Sequence, residues 1–534
     1  MIEDNTHNNK VTTRIIQIGI IITLIFLSLI ILSVTLSTFR DFFITDFVPR
    51  GGTNTDVMRI FQTRIRTFPA NIIVFFESFI ALIITVLLFK KRKKIIKFLT
   101  KYDFLNSKEF SITLLIIFFL IALIYYFLES GQVLSDLRII RNSAINFVNG
   151  EDIDIIYFSR YPLNLGYLWY NILLVRLFGA SNLNISLFLF NILFLILTLG
   201  HYYKSLRLSN PENNVKIFNI TFIALVLFLP LANYMSFFYT FLFNALIYLL
   251  FFSFMIRYKN KTLSLANILT LSLIIGFGSV MRGNVYLLGI AFAIYIFVVS
   301  KRLQKLFAPV IIVLMVTVNN LSVATSEHIF SLDTATHQFG ASHWINMGQG
   351  GETGRHSTED VQATIRAIEE GRGDEIGREN LISAINRVRA RNLRENITFY
   401  SNKLSITWGQ GDFGMHFNSR FSSNSGDVDP ENPRSMKEWA LTNTSFFVRL
   451  ALNVYIKIAY FMFAIILYKS IKNKKYWYSY YLIFILTFTG TVVFFLIFET
   501  FSRYAFPIIP SFILVLVYLV MDNYLGGKKI SEKP

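Results

Sequence analysis

Seven ionisable side chains crowd the stretch from Ser135-Asp136 to Tyr161-Pro162-Leu163-Asn164: Asp136, Arg138, Arg141, Glu151, Asp152, Asp154 and Arg160. Apolar runs at 111–128 and 185–199 flank it. Ionisable groups are costly beside lipid and mark function there by default. A carboxylate held at the membrane surface can take the proton of a hydroxyl nucleophile. Arginine offers a planar fork of donors that suits phosphate, so Arg138 and Arg141 can steer a phosphate-bearing donor. The competing reading is a solvated loop acid paired with a nearby arginine. Asp136 is the aspartate nearest the preceding apolar run and is therefore the preferred base over Asp152 and Asp154.

Three further groupings carry chemistry. Glu499-Thr500-Phe501-Ser502-Arg503-Tyr504, followed by Pro507 and Pro510, lies between two apolar runs. Glu499 and Arg503 are four apart and are expected to pair on one helical face, either closing the bundle or presenting an arginine to a lipid phosphate. Arg282, in Met281-Arg282-Gly283-Asn284, is a second phosphate candidate, with interfacial snorkelling as the competitor. The third grouping is His343, Trp344, Asn346 and Met347, then Lys403, Trp408, Gly409, Asp412 and His416. Tryptophan stacks on sugar rings and also anchors proteins at headgroups. His343, His416 and Asp412 match no compact metal motif, so no metal is expected.

These residues need a membrane scaffold to place them. The 534-residue chain is 54% hydrophobic and 16% aromatic, far too apolar in long runs for a soluble domain. Runs at 15–36, 72–89, 111–128, 185–199, 218–229, 237–255, 263–280, 285–299, 307–323, 446–467, 480–498 and 508–521 predict about twelve transmembrane helices. The first run lacks a small-residue cleavage site and reads as an anchor. With no cysteine, disulfides, thiolate nucleophiles and cysteine metal sites are excluded.

The net charge of +18 would suit nucleic acid, but the lysines follow the membrane instead. Lys90, Lys91, Lys93 and Lys94 crowd one loop, and Lys204, Lys259, Lys301 and Lys469 begin later alternate loops. By the positive-inside rule these loops and both termini are cytoplasmic, and the acid-bearing stretch is extracytoplasmic. The topology then makes residues 163–179 start and end outside, as an interfacial or half-inserted helix rather than a span.

The expected fold is therefore an all-α polytopic membrane protein with extracytoplasmic juxtamembrane helices and a mixed, mainly helical outer domain. Its parts are an N-terminal hairpin and basic loop (1–109), a transmembrane core (110–325, with the first outer loop at 129–184), an outer domain (326–445) and C-terminal helices with a basic tail (446–534). In the outer domain, Thr358-Glu359-Asp360 starts a helix and Gly371-Arg372-Gly373 breaks it in two. Arg387, Arg389, Arg391 and Arg394 follow. The glycine-rich Met347-Gly348-Gln349-Gly350-Gly351 reads as a flexible loop without the strand-then-helix setting of a phosphate loop. No Walker loop, HExxH or Gly-x-Ser-x-Gly occurs, so ATP-driven transport has no support.

The order Ser135-Asp136, Tyr157-Phe158, Tyr161-Pro162-Leu163-Asn164-Leu165-Gly166 and Leu177-Phe178-Gly179 resembles the GT-C glycosyltransferases. The similarity is to the branch of protein O-mannosyltransferases and aminoarabinose transferases, particularly bacterial members acting on surface polysaccharides. Glu499 to Tyr504 resembles their late Glu…Arg-Tyr motif. Met347-Gly348 with Lys403…Trp408 is similar to the outer block of Gram-positive members. The likeness spans about residues 110–525.

The resemblance implies an inverting transferase with no cofactor. It would move sugar from a polyprenyl-phosphate donor to a hydroxyl of a cell-surface glycopolymer, such as a teichoic acid, or of a lipid-linked glycan, with nucleic acid excluded as a partner. Asp136 would be the catalytic base. Arg282, Arg503, Arg138 and Lys403 would bind the donor phosphate. Tyr161, Asn164, Trp344, Trp408, Glu499 and Tyr504 would contact substrate. One departure is that Tyr234-Met235-Ser236-Phe237-Phe238-Tyr239-Thr240-Phe241 lacks the second acid of many members, which puts metal dependence in doubt. The alternatives are a polysaccharide polymerase or ligase, which would use paired arginines and histidine in the late loop, and a glycolipid flippase or transporter, which would favour repeat symmetry between halves.

Overall fold

The computed structural model describes residues 6–43, 68–129, 135–236, 239–259, 263–300, 304–415, 436–472 and 479–525. About 87% is helical, and no strand occurs among the described residues. The first helices are α1 (Thr6–Phe43), α2 (Phe68–Lys101), α3 (Lys108–Glu129), α4 (Ser135–Val148), α5 (Ile155–Arg160) and α6 (Leu165–Phe178). The middle of the chain forms α7 (Leu183–Ser209), α8 (Asn214–Leu227), α9 (Leu229–Ser236), α10 (Thr240–Arg257), α11 (Leu265–Met281), α12 (Tyr286–Val299) and α13 (Phe307–Phe330). The remainder forms α14 (Thr334–His337), α15 (Ala341–Gly348), α16 (Thr358–Glu369), α17 (Gly373–Ala390), α18 (Leu393–Trp408), α19 (Met436–Lys472), α20 (Ser479–Ile497), α21 (Ser502–Ala505) and α22 (Ile509–Leu525).

Among the described residues the predicted apolar runs are essentially helical, the 218–229 run being split between α8 and α9, because backbone polar groups in lipid must be satisfied within the segment. Among the described residues, seven segments are long and apolar enough to cross a membrane alone: those of α1, α3, α7, α10, α13, α19 and α21–α22. The pair α8 and α9 qualifies only together and bends by 67°. α11, α12 and α20 are apolar but shorter. This is the build of a multi-pass membrane protein. α6, at 14 residues, rises only about 21 Å against a hydrocarbon core of about 30 Å, too short to span upright.

The bundle is welded by aromatic packing and a few polar ties. Phe463, Phe484, Phe488 and Phe512 form a mutually packed group, with ring centroids 5.2 to 6.1 Å apart. α1 joins α20 through the hydroxyls of Thr23 and Thr489 at 2.6 Å. Lys457 of α19 pairs with Glu77 of α2, a buried ion pair that Asn453 completes by donating to Glu77 at 3.2 Å. Gly166 lets α6 lie against α11: a Cβ there would sit 2.3 Å from the Val280 carbonyl oxygen.

Beyond the bundle, α14 to α18 form a helical cap. Ser357 caps α16, accepting from the Asp360 N–H at 3.2 Å, and Gly371 (φ +76°) follows its C-terminal end. Asn392 and Glu395 form a reciprocal capping box on α18. α18 passes the end of α20 at Lys403, which bonds the Phe498 carbonyl, and its last turn packs Trp408 on Phe488.

Candidate functional site

α3, α11 and α20 all finish at one end of the bundle, where the cap sits, and most of the expected site residues meet there. Asp136 lies in the first turn of α4, exposed, where a helix N-terminus favours negative charge. Arg138, also exposed, stands about 200° further round the same helix. The two therefore point to different sides, and Arg138 does not join the cluster around Asp136.

Beside Asp136 lies a tyrosine shelf. Asp154 caps α5 by accepting from the Tyr157 N–H at 2.9 Å. Asn164 donates to the Tyr157 hydroxyl at 2.7 Å and accepts from the Tyr239 hydroxyl at 3.5 Å. Tyr161 packs on Tyr157 at 5.1 Å, Phe339 at 5.2 Å and Trp344 at 6.2 Å. Burial, followed by the Asp136 charge, pushes Tyr161 up to about 12. Tyr239 is raised by burial and again by Asp136, while Arg282 and Arg503 oppose the rise. Tyr239 is thus within electrostatic reach of the Asp136 carboxylate and of both arginines.

Arg282 follows the last residue of α11. Its Nη1 donates to Thr240 Oγ1 at 2.8 Å, and its guanidinium lies 4.0 Å from the Phe241 ring centroid, 5.3 Å from Tyr239 and 5.6 Å from Tyr504. Arg282 Nε is buried without a partner among the described residues. Arg503 sits on α21, 4.8 Å from Phe501, 5.7 Å from Tyr504 and 5.9 Å from Phe241. The two arginines share the Phe241 and Tyr504 rings.

Glu499 and Arg503 do not share a helical face. α20 stops at Ile497 and α21 starts only at Ser502, so a non-helical turn ending in extended Phe501 separates them. Glu499 is buried and accepts from the Tyr504 hydroxyl at 3.0 Å. Burial raises its carboxyl, and the charges of His356, Arg503 and Arg282 pull the other way.

Two expected site residues are structural. Lys403 is 1% exposed, and its ammonium donates to the Gly348 and Phe498 carbonyls at 2.5 and 2.8 Å. It ties the cap to the end of α20 and is not offered to a phosphate. Burial and the Arg391 charge push it down to about 7. Trp408 is wholly buried; Phe488 covers its ring at 5.2 Å, and its carbonyl accepts from the Tyr460 hydroxyl at 3.2 Å. It cannot stack on a sugar. Trp344, half-buried against Tyr161, remains at the site.

The glycine-rich stretch is pinned rather than flexible. Gln349 donates to the Leu496 and Ile497 carbonyls at 3.1 and 2.9 Å, and the Thr500 N–H donates to the Gly354 carbonyl at 2.9 Å. Only glycine fits at 348, where a Cβ would lie 2.4 Å from the Phe498 carbonyl carbon. The loop brings Arg355 and His356, both missed in the sequence, beside Glu499 and Phe501. Nothing but their charge marked them. Tyr157, Tyr239, Thr240 and Phe241 were also missed as site residues; aromatic residues abound on every helix here.

The cap's other groups are committed. His343 Nδ1 bonds the Thr364 hydroxyl at 2.8 Å, and Asp412 pairs with Arg449 at 3.2 Å. His416 lies outside the described residues. Arg387 grips Asp360 through two nitrogens at 2.9 and 2.6 Å, and Arg391 covers the Phe399 ring at 3.6 Å. No group of three His, Cys, Asp or Glu side chains suited to a metal occurs among the described residues. Chemically, the site offers an exposed carboxylate, a polar aromatic floor and two deeper guanidiniums. The chain matches no family model, no curated protein and no solved structure.

Proposed function

We propose that this protein is a membrane glycosyltransferase of the GT-C type, moving a sugar from a polyprenyl-phosphate carrier to a hydroxyl of a cell-surface glycan. The observation that carries this reading is that Tyr239, 5.3 Å from the Arg282 guanidinium, is within electrostatic reach of both the Asp136 carboxylate and Arg503. The exposed acid suits an acceptor arriving from water. The half-buried arginines suit an anion arriving from the bilayer.

In this reaction the acceptor hydroxyl oxygen bonds to the anomeric carbon while the carbon–oxygen bond to phosphate breaks. The bonding pair leaves on the phosphate oxygen, and Arg282 and Arg503 hold its charge. The hydroxyl proton passes to Asp136. Attack and departure on opposite faces invert the anomeric carbon. Trp344 and Tyr161 provide a sugar-facing aromatic wall, and Asn164 orients Tyr157 and Tyr239. By the lysine distribution, the site faces outward and both termini face the cytoplasm.

A polymerase built on the α17–α18 arginines has less to stand on, since Arg387 and Arg391 are already engaged. The experiment is reconstitution in proteoliposomes with a lipid-linked radiolabelled sugar and cell-wall glycan. A transferase moves label into the glycan. Label that only crosses the bilayer, still on its lipid, would refute the proposal in favour of a flippase.

A further inference from the structure

Arg355 is a cation that the reaction above does not use. It follows Gly354, whose positive φ of +63° turns the loop toward α20 and α21, and whose carbonyl holds the Thr500 N–H. The Arg355 guanidinium lies 5.9 Å from the Phe501 ring, the ring that Arg503 covers at 4.8 Å. Arg355 is half-buried, no hydrogen bond or ion pair among the described residues engages it, and its Nε is shut away from water. Burial pushes its ionisation down to about 10.

A buried cation without a counter-charge is costly, and retaining one makes sense where an anion completes the site. Shared rings link three guanidiniums. Arg282 and Arg503 meet over Phe241 and Tyr504, and Arg503 and Arg355 meet over Phe501. One acid lies beside them. Glu499 accepts from the Tyr504 hydroxyl, and burial raises its carboxyl against the pull of His356, Arg503 and Arg282.

A single phosphoryl group held by Arg282 and Arg503 leaves Arg355 uncompensated. We propose that Arg355 and Arg503 form a second anion subsite beside that of Arg282 and Arg503, so that the donor's leaving group is a lipid diphosphate. This rests on the transferase reading and changes its donor from a lipid phosphate to a lipid diphosphate. The phosphoryl group next to the sugar sits at Arg282, the arginine beside Tyr239 and hence on the Asp136 side. The anomeric carbon–oxygen bond breaks with its electron pair on that phosphoryl oxygen, the acceptor proton goes to Asp136, and the second phosphoryl group is held by Arg355.

The test titrates inorganic pyrophosphate and inorganic phosphate into the full-length protein in nanodiscs, as wild type, Arg355→Gln and Arg282→Gln. Wild type is expected to bind pyrophosphate at least about tenfold more tightly than phosphate, the scale of one charge-assisted bond. Arg355→Gln should erase that advantage and leave phosphate binding and thermal stability unchanged. Equal affinity for the two anions, or an unaltered pyrophosphate advantage in Arg355→Gln, overturns the second subsite. If Arg282→Gln still weakens phosphate in that case, the transferase reading survives. If neither substitution alters either anion, both fall.

Discussion

Replacing Gly348 by alanine tests how tightly the cap sets the site. The new methyl carbon would lie 2.4 Å from the Phe498 carbonyl carbon and 2.5 and 2.6 Å from the Ile497 and Phe498 oxygens, where ordinary contact begins at 3.4 Å. All three are backbone atoms, so no side-chain rotation relieves the clash. The 496–500 turn must move away by about 1 Å, a misplacement that costs on the order of 100-fold when it reaches a reacting geometry. It does reach the site, because Glu499 follows Phe498 directly and Arg503 lies four residues beyond. The same shift stretches the Lys403 bridge between the Gly348 and Phe498 carbonyls, worth about 1.5–3 kcal/mol per charge-assisted bond. Gly348→Ala should therefore lower kcat/KM for label transfer about 100-fold, with the protein still inserted in the membrane. Gly340→Ala serves as the control, since its nearest neighbour would be an ordinary 3.8 Å away. Near-wild-type transfer by Gly348→Ala would refute the idea that the cap positions the Glu499–Arg503 turn.

Trp408→Ala should cost about 3–5 kcal/mol in stability, as for any large buried aromatic, measured by unfolding in detergent. A selective loss of acceptor binding at unchanged stability would instead restore a sugar-stacking role. Lys403, held down to about 7 in the fold against an ordinary 10.5, leaves the unfolded chain binding more protons between those values. Stability of the cap should thus rise with pH across that window, and hydrogen exchange at 348 and 498 should follow. Lys403→Met should flatten the slope; an unchanged slope would place the titrating group elsewhere. Arg503→Glu should weaken donor use by about tenfold or more, read as a higher donor KM, and an unchanged donor dependence would make the Arg503 position purely structural.

Apolar runs made the bundle legible, since each run is a helix for reasons internal to its own segment. Thr358-Glu359-Asp360 and Gly371 likewise marked the start of α16 and the α16–α17 break through local capping and backbone chemistry. Asp136, Arg282 and Arg503 could be singled out because charge at the end of an apolar run is costly unless used. The roles of Lys403 and Trp408 were not legible, because both sit in a polar block whose last helix descends beside α20, a tertiary fact. The shared helical face of Glu499 and Arg503 assumed one continuous helix, and the break after Ile497 removed that face while leaving their charges coupled. The glycine-rich loop looked mobile because glycine permits freedom, whereas at 348 it permits a close backbone approach. Arg355 gave no pattern at all, and only its approach to the Phe501 ring that Arg503 also covers marks it.

The most direct measurement of the central claim is sugar transfer by Asp136→Asn in proteoliposomes supplied with a radiolabelled lipid-linked sugar. The substitution keeps the side-chain shape on an exposed first turn and removes the proton acceptor. Transfer should fall by at least about 100-fold, within the usual contribution of general-base catalysis, while membrane insertion and anion binding at Arg282 and Arg503 stay as in wild type. Transfer at the wild-type rate would contradict Asp136 as the base.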